Sequence, residues 1–212
     1  MTSRSTVSSR PVETGHRMVL GCLISGGGRT VLNLQQEIEA GRLDARIGVV
    51  VVTKPGIAGI ERCRAAGLPV VVCDRSLAES IDDQVDAALQ AAGVDLVCLC
   101  GYLRKFRVGP WAGRALNIHP ALLPRHGGHG MYGHHVHEAV LAAGDAESGC
   151  TVHLVDDEYD HGRTIVQRRC PVLPGDTPDA LAARVFEQEC LAYPEAIRAM
   201  DAGVVRRSEA RG

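Results

Sequence analysis

The feature that most constrains the fold is an alternation of element types between residues 17 and 118. Short aliphatic and β-branched runs at residues 18–24, 46–53, 68–73, 94–100 and 115–118 are separated by stretches with helical apolar spacing at 31–40, 57–66 and 77–92. Each helical stretch ends near a glycine, an ordinary stop signal. Successive strands joined through helices run parallel with right-handed crossovers, which predicts an α/β, doubly wound, mostly parallel sheet flanked by helices. Aromatics make up only 3% of the chain, which argues against an aromatic-rich β-sandwich.

Beyond Ile118 the pattern changes to a Pro- and Gly-rich loop at 119–133, a helix near 136–143, and strand-like stretches at 150–156 and 164–172. A last helix is expected at 178–200, with Asp176, Thr177 and Pro178 as its start signal. Residues 1–16, rich in Ser, Thr and Arg, read as a disordered tail, 17–205 as a single domain, and 206–212 as a frayed C-terminus. A chain of 212 residues suits one sizeable core.

A formal net charge of -2 gives no global field for nucleic acid or an anionic membrane, so a small-molecule partner is expected. No apolar run approaches the roughly 20 residues of a spanning helix, and the reading is a soluble, cytoplasmic protein. The eight cysteines include no Cys-x-x-Cys pair and follow no secretory signal, so they read as reduced thiols. Five of them, Cys22, Cys73, Cys98, Cys100 and Cys170, sit in or beside strand-like runs and read as core filler.

Four segments can carry chemistry. Ser25-Gly26-Gly27-Gly28-Arg29-Thr30 falls between the first strand and the first helix, where glycines bring backbone N–H groups close to an anion and the helix terminus favours negative charge. The plain alternative is a tight turn without a ligand. Neither the dinucleotide fingerprint nor the P-loop pattern is complete there, so a simple phosphate ester fits better. Asn117 and His119, at i and i+2 of a strand, project to one side near the carboxyl edge of the sheet, where open α/β sheets bind ligands. An amide donor beside an imidazole suits an oxyanion and a mobile proton, although a strand-end Asn and a structural His would look the same.

The third segment is the acidic loop 156–162, in which Asp160 is followed closely by Gly162, as in a loop folding back over a site; Asp156, Asp157 and Glu158 read as solvated turn residues. A carboxylate there would hold a nearby His119 in its imidazolium form, raising its pKa. The fourth is the histidine cluster His126, His129, His134, His135 and His137. His134 and Glu138 share a helix face, but His-Glu-x-x-His is absent and Gly127, Gly128, Gly130 and Gly133 make the segment a mobile cover, so no metal is expected.

In this order, the segments resemble the phosphoribosylglycinamide formyltransferases, folate-dependent enzymes of purine synthesis, over residues 17–204. The most specific pieces are Ile24-Ser25-Gly26-Gly27-Gly28, residues 59–67, Gly101-Tyr102-Leu103-Arg104, residues 117–124, Gly149-Cys150-Thr151-Val152-His153 and Asp160-His161-Gly162. Gly130-Met131-Tyr132-Gly133 ahead of residues 136–140 is similar to a longer loop of some members, which explains the histidine cluster without a metal.

The resemblance implies a Rossmann-like formyltransferase fold with Asn117, His119 and Asp160 in the catalytic positions. It implies that Gly26, Gly27, Gly28, Arg29 and Thr30 take the phosphate of glycinamide ribonucleotide and Glu189 its ribose hydroxyls. Leu103, Arg104, Lys105 and Phe106, with Val155, Asp156, Asp157, Glu158 and Tyr159, match the walls of the folate pocket. Arg29-Thr30 departs from the family's common Ser-Asn, and Lys105-Phe106 from a more aliphatic pair. The co-substrate implied is 10-formyltetrahydrofolate, with direct amine attack, no metal and no covalent enzyme intermediate; a monomer and a homodimer both remain open. Rival readings are formyl transfer to another amine, deformylation of the same folate, a non-catalytic phosphometabolite-binding module, and a metal hydrolase built on the histidine loop.

Overall fold

The strands run Met18–Ile24 (β1), Ala45–Val52 (β2), Val70–Val72 (β3), Leu96–Leu99 (β4), Ala115–His119 (β5), Glu147–Leu154 (β6) and Thr164–Pro171 (β7). They form one sheet in the order β3-β2-β1-β4-β5-β6-β7. This is a computed structural model that describes residues 17–76 and 78–209, with side chains to residue 201. The first five strands pair in parallel, and β6 and β7 join antiparallel. The helices are Arg29–Glu39 (α1), Ala58–Ala65 (α2), Ile81–Ala91 (α3), His134–Ala142 (α4) and Pro178–Glu209 (α5).

All seven residues of β1 are buried, as expected of a central strand covered on both faces. Alternate side chains feed two cores. Leu20, Cys22 and Ile24 pack with Leu34 of α1 and Tyr193 and Ile197 of α5, while Val19 and Leu23 pack with Val85 and Leu89 of α3 and with Trp111. The five cysteines expected in the core are buried free thiols. Tyr193 ties α5 to the sheet, its hydroxyl lying 3.1 Å from both the Leu99 and Leu116 carbonyl oxygens.

Most boundaries differ from the sequence expectation by one to three residues, β6 for example running 147–154 rather than 150–156, and three differences stand out. β3 is three residues long rather than 68–73, because the Leu68 N–H closes the end of α2 on Cys63 O and Pro69 has no N–H to give a ladder. α3 starts at Ile81 rather than 77, where the Ser80 hydroxyl caps the Asp83 N–H; Leu77 lies outside the described residues. α5 runs to Glu209 rather than 200, and continues through Pro194. Residues 206–209 are therefore helical, and the expected tails at 1–16 and 210–212 lie outside the described residues.

The turn after β1 depends on a neighbour. The Gly59 N–H, in the first turn of α2, donates to Gly26 O at 3.2 Å, and a methyl group at Gly59 would run into that same carbonyl oxygen and into Ile24. Gly59→Ala is therefore expected to destabilise by about 1–3 kcal/mol, the usual cost of overpacking. Urea unfolding would show a lower midpoint at unchanged slope, and an unchanged midpoint would contradict this packing.

Candidate active site

Between β1 and β4 the chain order reverses direction across the sheet, and open α/β sheets bind ligands at the carboxyl ends of strands flanking such a point. A cleft of about 630 Å³ lies there, within the range of small-molecule sites. Gly26, Arg29, Asn117, His119, Asp160 and Glu189 all line it.

The glycine turn is held from both sides. Ser25 N–H donates to Gly101 O and the Ser25 hydroxyl accepts from Leu103 N–H, each at 3.0 Å, while Arg62 Nη1 donates to Gly27 O at 3.2 Å. Gly28, with φ of 74°, occupies the cap position of α1 in the left-handed region that favours glycine, and no side chain caps the helix. The first N–H groups of α1, which have no partner within a helix, thus face the turn. Of the residues expected to hold phosphate, Gly26 and Arg29 line the cleft; Gly27 and Gly28 turn toward Arg62 and Cys63 of α2, and Thr30 is not among the lining residues.

The Arg29 guanidinium lies 4.3 Å over the Phe186 ring, a cation–π stack that aims it along the cleft wall. Beside it, burial pushes the Glu189 carboxyl up to about 7, against the opposing pull of Arg29.

Asn117 and His119 stand on β5 as the i, i+2 spacing requires, and the antiparallel return of β6 sets His153 directly opposite Asn117. The His153 Nδ1–H donates to Leu154 O at 2.8 Å, which leaves Nε2 to accept from Asn117 Nδ2 at 3.1 Å. The other Asn117 N–H donates to Asp160 Oδ1 at 3.3 Å. His119 is 3% exposed, with Nδ1 3.3 Å from Asp160 Oδ2 and its Nε2–H donating to His126 O at 2.7 Å. Gly128 N–H donates to Asp160 Oδ2 at 3.0 Å. Asn117, His119, His153 and Asp160, with the backbone of His126 and Gly128, thus form one polar cluster drawn from four chain segments.

The electrostatics correct one expectation. The pKa of His119 is lowered, not raised: burial outweighs the attraction of Asp160, and the neighbouring histidine rings push the same way as burial. Burial works against charge on Asp160 too, but the attraction of the His119 ring and the bond from the Gly128 N–H hold its carboxyl below the ordinary range. His153 was missed from the sequence. It lies inside a motif singled out there, but only an antiparallel register puts it opposite Asn117.

A second, narrower slot of about 60 Å³ opens from the same cluster, lined by Arg104, Lys105, Phe106, Val155, Asp156, Glu158 and Tyr159. Leu103 lines the larger cleft instead, and Asp157 lines neither. Lys105 Nζ sits 5.9 Å from the centre of the Tyr159 ring across the slot mouth. Tyr102, Asn117, Tyr159 and Asp160 border both cavities, so two ligands bound side by side would meet along these side chains.

The histidine loop forms a wall of the larger cleft through His129 to Gly133 and His137. His134 and His135 pair with Glu138 at 3.5 and 3.3 Å, His134 also lies 3.4 Å from Asp179, and His126 lies against Asp145. Among the described residues no group of three or more His, Cys, Asp or Glu side chains is arranged to hold a metal.

Residues 18–197 match the formyl transferase family, and the chain belongs to it. It is similar to glycinamide ribonucleotide transformylase 1 from Symbiobacterium toebii, whose crystal structure superposes with a TM-score of 0.82 at 37% identity over 90% of each chain. It is also 38% identical over 191 residues to the chloroplastic phosphoribosylglycinamide formyltransferase of Arabidopsis thaliana, and 41% identical over 192 residues to the trifunctional purine biosynthetic protein adenosine-3 of Drosophila melanogaster. Those matches cover 87% and 85% of this chain but only 65% and 14% of the two relatives.

Glu189 makes a test of the site's electrostatics. Folded, it keeps its proton up to about pH 7, whereas an ordinary glutamate loses it near 4.5, so between these values the folded state binds more protons. The contribution of this carboxyl to stability is full below pH 4.5 and is lost as pH rises to 7. The stability of the protein relative to Glu189→Gln, from urea unfolding, is expected to fall across that window and level off above it. A difference that stays flat from pH 4.5 to 7 would contradict the enclosure of this carboxyl.

Proposed function

We propose that this chain transfers the formyl group of 10-formyltetrahydrofolate to the amine of glycinamide ribonucleotide, a step of purine biosynthesis. The observation that carries this reading is the meeting of two cavities along Tyr102, Asn117, Tyr159 and Asp160, one reaching the glycine turn and α1, the other lined by residues 104–106, 155, 156, 158 and 159. The names and folds of the relatives support the same assignment. The phosphate of the acceptor sits on the α1 terminus beside Arg29, its ribose hydroxyls reach Glu189, and its amine extends to the cluster. The folate enters by the slot, which must widen to admit its ring system, as sites for ligands of this size exceed about 300 Å³.

In the reaction the amine nitrogen forms a bond to the formyl carbon, and the carbonyl electron pair moves to oxygen as an oxyanion. Collapse of this intermediate breaks the bond from carbon to the folate nitrogen; the attacking amine gives up one proton and the departing nitrogen receives one. Asn117 donates to the oxyanion by exchanging its bond to Asp160 for one to substrate, while His153 keeps the amide oriented. With Nε2–H held by His126 O, Nδ1 is the working nitrogen of His119. Burial keeps that ring neutral before substrate binds, so it becomes an imidazolium as charge develops on the substrate, with Asp160 alongside to balance it. None of these steps requires a metal.

Residues 17–205 act in this reading as one formyltransferase domain, cytoplasmic, monomeric or homodimeric, with small molecules as its partners. No helix among the described residues is long and apolar enough to cross a membrane.

The direct assay follows release of tetrahydrofolate from 10-formyltetrahydrofolate with glycinamide ribonucleotide as acceptor. Equal release with water alone would make the chain a deformylase, and release only with another amine would change the acceptor. Asp160→Asn is expected to lower kcat by about 10²–10⁴-fold with smaller changes in KM, the range for losing positioned acid–base or oxyanion help. His119→Ala combined with Asp160→Asn should cost little more than the worse single change. Losses that multiply would show that the two residues do not act as a unit.

A further inference from the structure

Among the described residues only two other than glycine have positive φ: His126 at 55° and Asp160 at 56°. Both face the same imidazole. The Asp160 carboxylate lies at His119 Nδ1, and the His126 carbonyl oxygen accepts from His119 Nε2–H. A left-handed backbone at a residue with a β-carbon persists where surrounding contacts hold it, and such residues cluster at functional sites.

The contacts that hold His126 are specific. Its own ring Nε2 lies 2.7 Å from Asp145 Oδ2, and the preceding Arg125 Nη2 lies 2.7 Å from Asp145 Oδ1. Asp145, just past the end of α4, is largely enclosed and so clamps two consecutive residues with its two oxygens. Two residues further on, the Gly128 N–H closes on Asp160 Oδ2. A glycine at 126 would take the left-handed backbone more readily, but it would lose the ring that reaches Asp145.

We propose that His126 and Asp145 are positioning residues: the Asp145 clamp fixes the left-handed His126 so that its carbonyl holds the His119 proton on Nε2 and keeps Nδ1 turned to the Asp160 carboxylate at the cleft. A backbone carbonyl can only accept, and at 2.7 Å from Nε2 it lies closer than the Asp160 carboxylate does to Nδ1 at 3.3 Å. As long as it stays in place, the neutral ring keeps its proton on Nε2 and turns an unprotonated Nδ1 to Asp160. Outer partners that fix the tautomer and orientation of a working histidine act in this way at other sites. The proposal rests on the formyl-transfer reading for what Nδ1 does, but not for which tautomer His119 holds.

The test uses the full chain with ¹⁵N-labelled histidine. Ring nitrogen shifts of His119, assigned by comparison with His119→Asn, report its tautomer, and transfer kinetics are measured on the same samples. The wild-type protein should show the Nε2–H form. Asp145→Asn and His126→Asn should shift His119 toward a mixture of tautomers and lower kcat about tenfold or more, with little change in either KM, and Asp145→Glu should recover part of the loss. Asparagine tolerates the left-handed backbone, so His126→Asn removes the clamp without demanding a new backbone and decides the matter if Asp145→Asn fails to fold. Variants that lose thermal stability yet keep the Nε2–H tautomer and full kcat would show a structural role only and overturn the proposal, as would a mixed tautomer with unchanged kcat. If glycinamide ribonucleotide proves not to be the acceptor while the tautomer still follows Asp145, the functional reading fails and the positioning of His119 stands.

Discussion

The structure turns on one strand with unlike neighbours. β5 pairs in parallel with β4 on one side and antiparallel with β6 on the other. The parallel side carries Asn117 and His119 to the carboxyl edge of the sheet, where the turn before α1 also opens. The antiparallel side brings the chain back past them, so that His153 meets Asn117 and the following turn lays Asp160 over both. A fully parallel sheet would have sent the chain away through a helix at this point and left the two side chains without partners.

Burial then sets the chemistry. His119 is enclosed deeply enough that desolvation outweighs the attraction of Asp160, so the ring is neutral before substrate arrives. Asp160 stays ionised because it is supplied with donors, whereas Glu189, enclosed with only Arg29 to oppose its desolvation, holds its proton to near neutrality. Three ionisable groups in one cleft thus rest in different states, each for a stated cause, and Glu189 changes state near neutral pH. Such a site can bind an anionic ligand at one end and move a proton at the other.

Much of this was legible in the sequence, for identifiable reasons. The strand at 18–24 was placed to the residue because a central parallel strand is apolar throughout, and the pairing of Asn117 with His119 follows from the two-residue period of a strand. The boundaries of β3 and α3 were not, since they depend on where Leu68 spends its N–H and on a serine cap one residue before α3. His153 escaped because antiparallel register has no signature in local sequence. The second partner of His119, the His126 carbonyl, escaped for a different reason: every residue possesses a backbone carbonyl, and the direction of this one depends on a left-handed turn at a histidine. The sign of the His119 shift could not be read either, because charge neighbours can be named from a motif but depth of burial cannot.

The central claim is that two ligands meet at Asn117, His119 and Asp160. The most direct test is a crystal structure with glycinamide ribonucleotide and a folate analogue whose formyl group cannot be transferred. The account predicts the phosphate on the turn at Gly26–Arg29, the folate ring between residues 104–106 and 155–159, and the acceptor amine beside the formyl carbon. The formyl oxygen should lie within hydrogen-bond reach, about 2.6–3.2 Å, of Asn117 or His119. A phosphate bound away from that turn, or a formyl group out of reach of all three side chains, would contradict it.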